Sequence, residues 1–207
     1  MKTSIIKLKN GDMEITLCGA IHVGTKDYFD KLNSIADKSD VVLFEGVKST
    51  SLDNLKTLYI KLGQIIGLVV QNRNGYEDSI KWINSDMNYD IIKKYMKKNI
   101  INTLDIDKSI NALDEINNEN DEKIKKFTKW FIIFILNRLK FISLFVKEYH
   151  VLVKLRNYKI LIDVTEQFEK HNKIAIIYGE GHLNHLVKNF KKLNFKIVEK
   201  SYLESFK

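Results

Sequence analysis

The chain has 207 residues, 44% of them hydrophobic and 29% charged. That is the balance of a globular chain with a sizeable core, and it excludes a wholly disordered one. A single cysteine excludes an internal disulfide framework and a multi-thiolate zinc site. The absence of proline excludes proline-rich recognition segments. Lys plus Arg number 34 against 26 Asp plus Glu, a net charge of +8 that draws the chain weakly toward anions. Zinc-finger spacing, basic-zipper heptads and an RNP-type aromatic string are all missing, so no nucleic-acid partner is expected.

In chain order, residues 3–8 and 13–18 read as two strands joined by Asn10-Gly11-Asp12, a strong hairpin turn signal. Thr25 is placed to cap a helix over 26–38, whose apolar positions Tyr28, Phe29, Leu32, Ile35 and Ala36 keep helical spacing. The uninterrupted apolar run 41–44 predicts a strand buried on both faces. Strand, helix and strand in so few residues make a βαβ unit.

Helices are expected over 52–70, 88–98, 107–117, 122–149 and 150–170, with a polar exposed connection at 116–123. The apolar run near residue 130 is too short to span a bilayer. The N-terminal apolar stretches are broken by charge, unlike a secretory signal, so a cytoplasmic location is expected. A second buried strand follows at 173–178, then a helix over 183–192 and a last strand over 195–203. The βα elements therefore lie at the two ends of the chain. The fold expected is α/β: a central, mostly parallel sheet built from both chain ends and flanked by helices. Residues 1–207 form a single domain in this reading, with a helical insertion over 88–149.

Three residues with chemical potential follow predicted strands: His22, Glu45 and His182. Open parallel sheets bind ligands beyond the carboxyl ends of their strands, so these three converge if their strands are neighbours. Both histidines stand three residues after a glycine, Gly19 and Gly179, which lets the chain leave its strand without a Cβ in the way. Two chemistries fit. In one, His22, Glu45 and His182 hold a divalent metal ion that activates water. In the other, a histidine is a general base, with Glu45 orienting it or acting as the acid. Against both stands the plain alternative that each side chain serves a local turn or ion pair.

Other positions carry less. Cys18 lies inside an apolar strand, and His185, one helical turn from His182, is a further candidate ligand. His150 and His171 have no supporting pattern. Arg156, next to Asn157 on a helix, could reach a carboxylate or anionic intermediate. Serine-hydrolase elbows and phosphate-binding glycine loops are both absent. The basic clusters 93–98 and 123–130 read as solvated helix faces, or as faces that dock on an anionic membrane surface.

Residues 17–47 resemble the opening of TraB/PrgY/TIKI-type proteins: Gly-x-x-His, a helix, then a hydrophobic strand ending in Glu. Residues 174–198 resemble their closing motif, a second Gly-x-x-His followed by a helix and a strand. The segments 66–71 and 82–87 resemble connecting motifs of short bacterial members, and Arg156-Asn157 matches the arginine ahead of the last strand. The family is similar in fold to erythromycin-esterase-like and ChaN-like proteins, with both Gly-x-x-His motifs at one site. TIKI members are described as metal-dependent proteases, and PrgY-type members reduce the activity of a peptide pheromone. The resemblance therefore implies a hydrolase of the peptidase kind, with His22, Glu45 and His182 at the site and Arg156 supporting.

Three departures qualify it. Glu180 stands inside the second motif where a small residue is expected, adding a carboxylate as a further ligand or base. The C-terminal membrane helices of PrgY-like members and a secretion signal are missing from the sequence. The expected partner is a peptide or small-molecule substrate. The competing expectations are a protein that binds and sequesters such a ligand without turnover, and a peripheral membrane protein working through residues 88–149.

Overall fold

The computed structural model describes residues 1–46, 53–71, 79–88, 91–92, 106–142 and 147–206, without the side chains of 53–55, 106–107, 135–142 and 147–152. The elements in order are β1 (Lys2–Asn10), β2 (Met13–Ala20), β3 (Val23–Gly24), α1 (Lys26–Asp37) and β4 (Val41–Phe44). There follow α2 (Asp53–Ile66), β5 (Val69–Val70), β6 (Trp82–Asn84), α3 (Ile106–Asn117) and α4 (Glu122–Ile142). Last come α5 (Lys147–Gln167), β7 (Lys173–Gly179), a 3-10 turn (Glu180–His182), α6 (Leu183–Lys192) and β8 (Lys196–Glu204).

The main sheet has six strands in the order β6-β4-β7-β2-β1-β8. β6, β4, β7 and β2 are parallel, while β1 runs antiparallel to both β2 and β8. This is the α/β fold, with its mostly parallel sheet, that the sequence led us to expect. Gly11 takes a left-handed conformation, φ 57°, in the β1–β2 turn, where a Cβ would be strained. Thr25 caps α1, its Oγ1 accepting from the Tyr28 N–H at 3.2 Å.

The alternation of side chains along β7 explains the layers. Ile174, Ile176 and Tyr178 join Leu43, Leu17, Ile160, Leu186 and Phe190 in one core on the face carrying α5 and α6. Ala175 and Ile177 join Val42, Cys18, Leu32 and Ala36 in a second core on the α1 face. A strand flanked by strands and covered on both faces must be apolar at every position, which is the continuous run seen at 174–178. Burying one such Ile or Leu contributes about 1.5–3 kcal/mol. Asp40 sets the register at the edge of this core, accepting from the N–H groups of Asn172 at 3.1 Å and Lys173 at 2.8 Å.

Three details differ from expectation. The helix expected over 52–70 ends at Ile66, and Val69–Val70 instead form the short strand β5, paired with β3. Of the helix expected over 122–149, Glu122–Ile142 is helical and 143–146 lie outside the described residues, while 147–149 open the next helix, Lys147–Gln167, which was expected only from 150. A three-residue strand, Trp82–Asn84, extends the sheet beyond β4. Three residues are too few to show a period. The helix expected over 88–98 falls, apart from residues 88, 91 and 92, outside the described residues. Among the described residues, no helix is long and apolar enough to cross a membrane.

Candidate functional site

β4, β7 and β2 are adjacent and parallel, so Glu45, Gly179-Glu180-Gly181-His182 and His22 all leave the sheet at the same edge. The tightest part is an ion network between that edge and α5. Glu45 accepts from the Arg156 guanidinium through Oε1 at 2.6 Å and from the Gly179 N–H through Oε2 at 2.6 Å. Arg156 also grips Asp86 with two parallel bonds, Nε to Oδ1 at 2.8 Å and Nη2 to Oδ2 at 2.6 Å. The guanidinium lies 5.5 Å from the centre of the Tyr178 ring.

The position of Asp86 follows from the short strand β6. Past its end, the Ser85 N–H donates to the Phe44 carbonyl at 3.1 Å, and Ser85 Oγ donates to Asp163 Oδ2 on α5 at 2.6 Å. Ser85 is thereby tied to both β4 and α5, and Asp86 meets Arg156. The Asp86 side chain is 0% exposed, and those of Glu45 and Arg156 13% and 15%, so the network is largely withdrawn from water. Two carboxylates share one guanidinium there, leaving an excess negative charge.

His182 is buried beside this network, its ring 4.7 Å from that of Tyr178 in an edge-on arrangement. Its orientation is set by fully buried Asn157. The Asn157 amide nitrogen donates to the His182 carbonyl at 3.1 Å, and the Asn157 oxygen lies 2.6 Å from His182 Nδ1. A backbone carbonyl can only accept, so the amide nitrogen must face it and the oxygen must face Nδ1. Nδ1 therefore carries the proton, and Nε2 presents the lone pair. The same amide nitrogen lies 3.1 Å from His185 Nδ1, which acts as acceptor.

Burial pushes His182 down to about 4, with Arg156 adding to the effect and Glu45 opposing it. The imidazole is therefore neutral at pH 7. Burial alone would raise Glu45, but Arg156 foremost, then His182, His22 and the Gly179 N–H, outweigh it and hold the carboxyl at about 2. Since His182 is neutral at pH 7, Arg156 is the principal partner of the carboxylate there. Arg156 is raised in turn: burial opposes its charge, and Glu45 and Asp86 overcome the cost.

His22 is exposed at the mouth of this edge. Its ring is 5.0 Å from Tyr59 of α2, and its carbonyl accepts from the Gln71 N–H at 2.9 Å, tying the turn after β2 to the segment after α2. A positive charge on its ring adds to the lowering of Glu45, after Arg156 and His182. Glu180 is turned to β1, accepting from Ser4 N–H at 2.8 Å and Ser4 Oγ at 2.7 Å. Its carboxylate occupies the place of a Gly19 side chain: a Cβ there would stand 1.8 Å from Glu180 Oε2. At Gly179 a Cβ would press on Glu45 Oε2 at 3.0 Å. The two motif glycines thus make room for two carboxylates.

Cys18 is fully buried, and burial pushes its thiol up to about 12, the state of a packing residue. His185 is lowered by burial foremost and is half-buried against Tyr158 and Asn189. His171 sits in the turn after α5, its N–H bonded to the Gln167 carbonyl at 3.0 Å. The side chain of His150 and the basic cluster 93–98 lie outside the described residues.

Sequence reasoning missed Asp86, Asn157 as the orienter of His182, Ser85 and Tyr178. Asp86 lay in plain view in the 82–87 segment, and Asn157 next to Arg156. Among the described residues no three His, Cys, Asp or Glu side chains stand together in metal-ligand geometry. No protein-family model, curated protein or solved structure matches this chain.

Proposed function

We propose that the protein is a metal-assisted hydrolase of the peptidase kind, acting on a peptide or another amide or ester at the edge carrying His22, Glu45 and His182. The observation that carries this reading is His182 itself. Its Nδ1 proton is committed to Asn157, so the opposite nitrogen offers a lone pair beside an excess of buried negative charge. A pKa near 4 makes it a weak general base at pH 7. The same value keeps the imidazole deprotonated, as a metal ligand must be, and an outer hydrogen bond that fixes the tautomer is the usual support of a metal-bound histidine.

By type, though not by their present spacing, the donors suit a divalent ion: His182 and His22 would supply imidazoles and Glu45 a carboxylate. When bound there, such an ion would lower the pKa of a water molecule and polarise a scissile carbonyl. The chain's own residues supply the rest. Asn157 holds the His182 ring. Arg156 and the Gly179 N–H keep Glu45 ionised. Asp86 fixes Arg156 in plane. His22, at the exposed mouth, meets the substrate first. The resemblance to TraB/PrgY/TIKI-type proteins supports the same residues and the same class of reaction.

A second reading follows from the Glu45–Arg156–Asp86 network, in which both Glu45 oxygens are already engaged. A site so closed could sequester a peptide without cleaving it. A panel of peptide and ester substrates, incubated with and without Zn2+, Mn2+ or Mg2+, separates the two. Turnover by the wild type, lost in His22→Ala, Glu45→Gln and His182→Ala, supports the hydrolase. Equal turnover in all three variants sinks it, and ligand bound but recovered chemically unchanged favours sequestration.

A further inference from the structure

Helix α4 presents an apolar stripe to solvent. Ile124, Phe127, Trp130, Phe131 and Phe134 recur at the i, i+3, i+4 spacing of one helical face, and all five are exposed, Phe127 at 65% and Trp130 at 59%. Their rings ladder along the helix: Phe127 stacks on Phe131 at 6.3 Å and Trp130 on Phe134 at 5.7 Å. The side turned to the protein is a different one. Lys125, Thr128, Ile132 and Ile133 are half-buried there, and the helix packs on α2 and α3. Ile124, Phe127, Trp130 and Phe131 are therefore surplus to the helix's own packing.

The charge on this helix has one sign. After Glu122 it carries Lys123, Lys125, Lys126, Lys129, Arg138 and Lys140 and no acidic residue, in a chain of net charge +8. Exposed Lys123 and Lys126 border the stripe. A second copy of the chain would bring two such basic faces together, which like-charge repulsion opposes. Aromatic and aliphatic residues on one face, lysines at its border and insufficient apolar length to cross describe a helix that lies in a membrane interface.

We propose that α4 is a membrane-docking surface for bilayers rich in anionic phospholipid, with Phe127, Trp130 and Phe131 inserted at the headgroup boundary and Lys123 and Lys126 on lipid phosphates. This is independent of the hydrolase reading and goes beyond it. Each lysine near an anionic surface strengthens adsorption about fivefold. Burying exposed Trp and Phe rings adds roughly tenfold or more.

The test is co-sedimentation of the full chain with phosphatidylcholine vesicles, with and without phosphatidylserine, at low and high salt. Binding to the serine-containing vesicles is expected, weakened by salt. Lys123→Gln/Lys126→Gln should lose about 25-fold in affinity, and Phe127→Ser/Trp130→Ser roughly tenfold or more. In a Trp82→Phe background, Trp130 emission should shift to the blue on binding. These positions are exposed, so circular dichroism should match the wild type. Equal or absent sedimentation with both vesicle types at low salt overturns the proposal. So does full binding by Phe127→Ser/Trp130→Ser, or a wild-type dimer in analytical ultracentrifugation that this pair of substitutions dissolves.

Discussion

The side-chain oxygen of Asn157 lies 2.6 Å from Nδ1 of His182, while its amide nitrogen holds the His182 carbonyl. One buried amide thus fixes the ring, the tautomer and the free nitrogen of the central histidine. Asn157→Leu should leave the Nδ1–H buried without an acceptor and cost about 1–3 kcal/mol in denaturant unfolding. Asn157→Asp keeps an acceptor on Nδ1 but sets a second oxygen against the His182 carbonyl, and its charge should raise the His182 pKa. Nitrogen-15 spectra of labelled histidine check both: a single Nδ1–H tautomer in the wild type, a mixture in Asn157→Leu.

Arg156 is shared by two carboxylates that have little access to water. Arg156→Leu should strip both of their cation and cost about 3–5 kcal/mol, the range for removing one partner of a buried pair. Arg156→Lys should recover only part of this, because an ammonium cannot make the two parallel bonds to Asp86. Urea unfolding of the two variants beside the wild type reads the difference.

Acid should destabilise the protein in two steps. His182 is depressed in the folded state from 6.5 to about 4. The unfolded chain therefore binds the extra proton first, and stability falls as pH drops from about 6.5 toward 4. The loss is roughly 3 kcal/mol when complete. Glu45 is depressed from 4.5 to about 2, so its contribution is present above pH 4.5 and is lost as pH falls toward 2. Unfolding free energies measured against pH in chelator should show both slopes, and His182→Gln should remove most of the upper one, leaving the part due to His185, which burial also lowers.

Gly19 and Glu180 are coupled through space. Gly19→Ala would put a methyl group 1.8 Å from Glu180 Oε2, forcing the carboxylate off Ser4. A loss of about 1–3 kcal/mol is expected for such overpacking. The same substitution should cost much less in a Glu180→Ala background, because the clash is gone. A double-mutant cycle in thermal unfolding measures the coupling, and additive losses would contradict it.

Much of the architecture could be read from short-range signals. Asn10-Gly11 marked the hairpin, Thr25 the start of α1, and the apolar runs at 41–44 and 173–178 the strands buried on both faces. That Glu45, His182 and His22 leave one edge followed from strand order, since all three stand just past a strand end. What could not be read depends on contacts between distant segments. Asp86 meets Arg156 across seventy residues because β6 pairs with β4 and Ser85 bonds Asp163. No period in the sequence marks a three-residue strand. Asn157 looked like a neighbour of Arg156, yet one residue along a helix turns its side chain about 100° away, onto His182. Glu180, read as an added carboxylate at the site, is instead bonded to Ser4 on β1.

The proposed function makes Nε2 of His182 the metal-binding atom of a hydrolytic site. It is tested most directly by calorimetric titration of the purified chain with Zn2+ and Mn2+, beside His182→Ala and His22→Ala. The account predicts one ion per wild-type chain, no measurable binding in His182→Ala and weakened binding in His22→Ala, with circular dichroism unchanged. Equal affinity in His182→Ala, or no ion bound by the wild type, would contradict it.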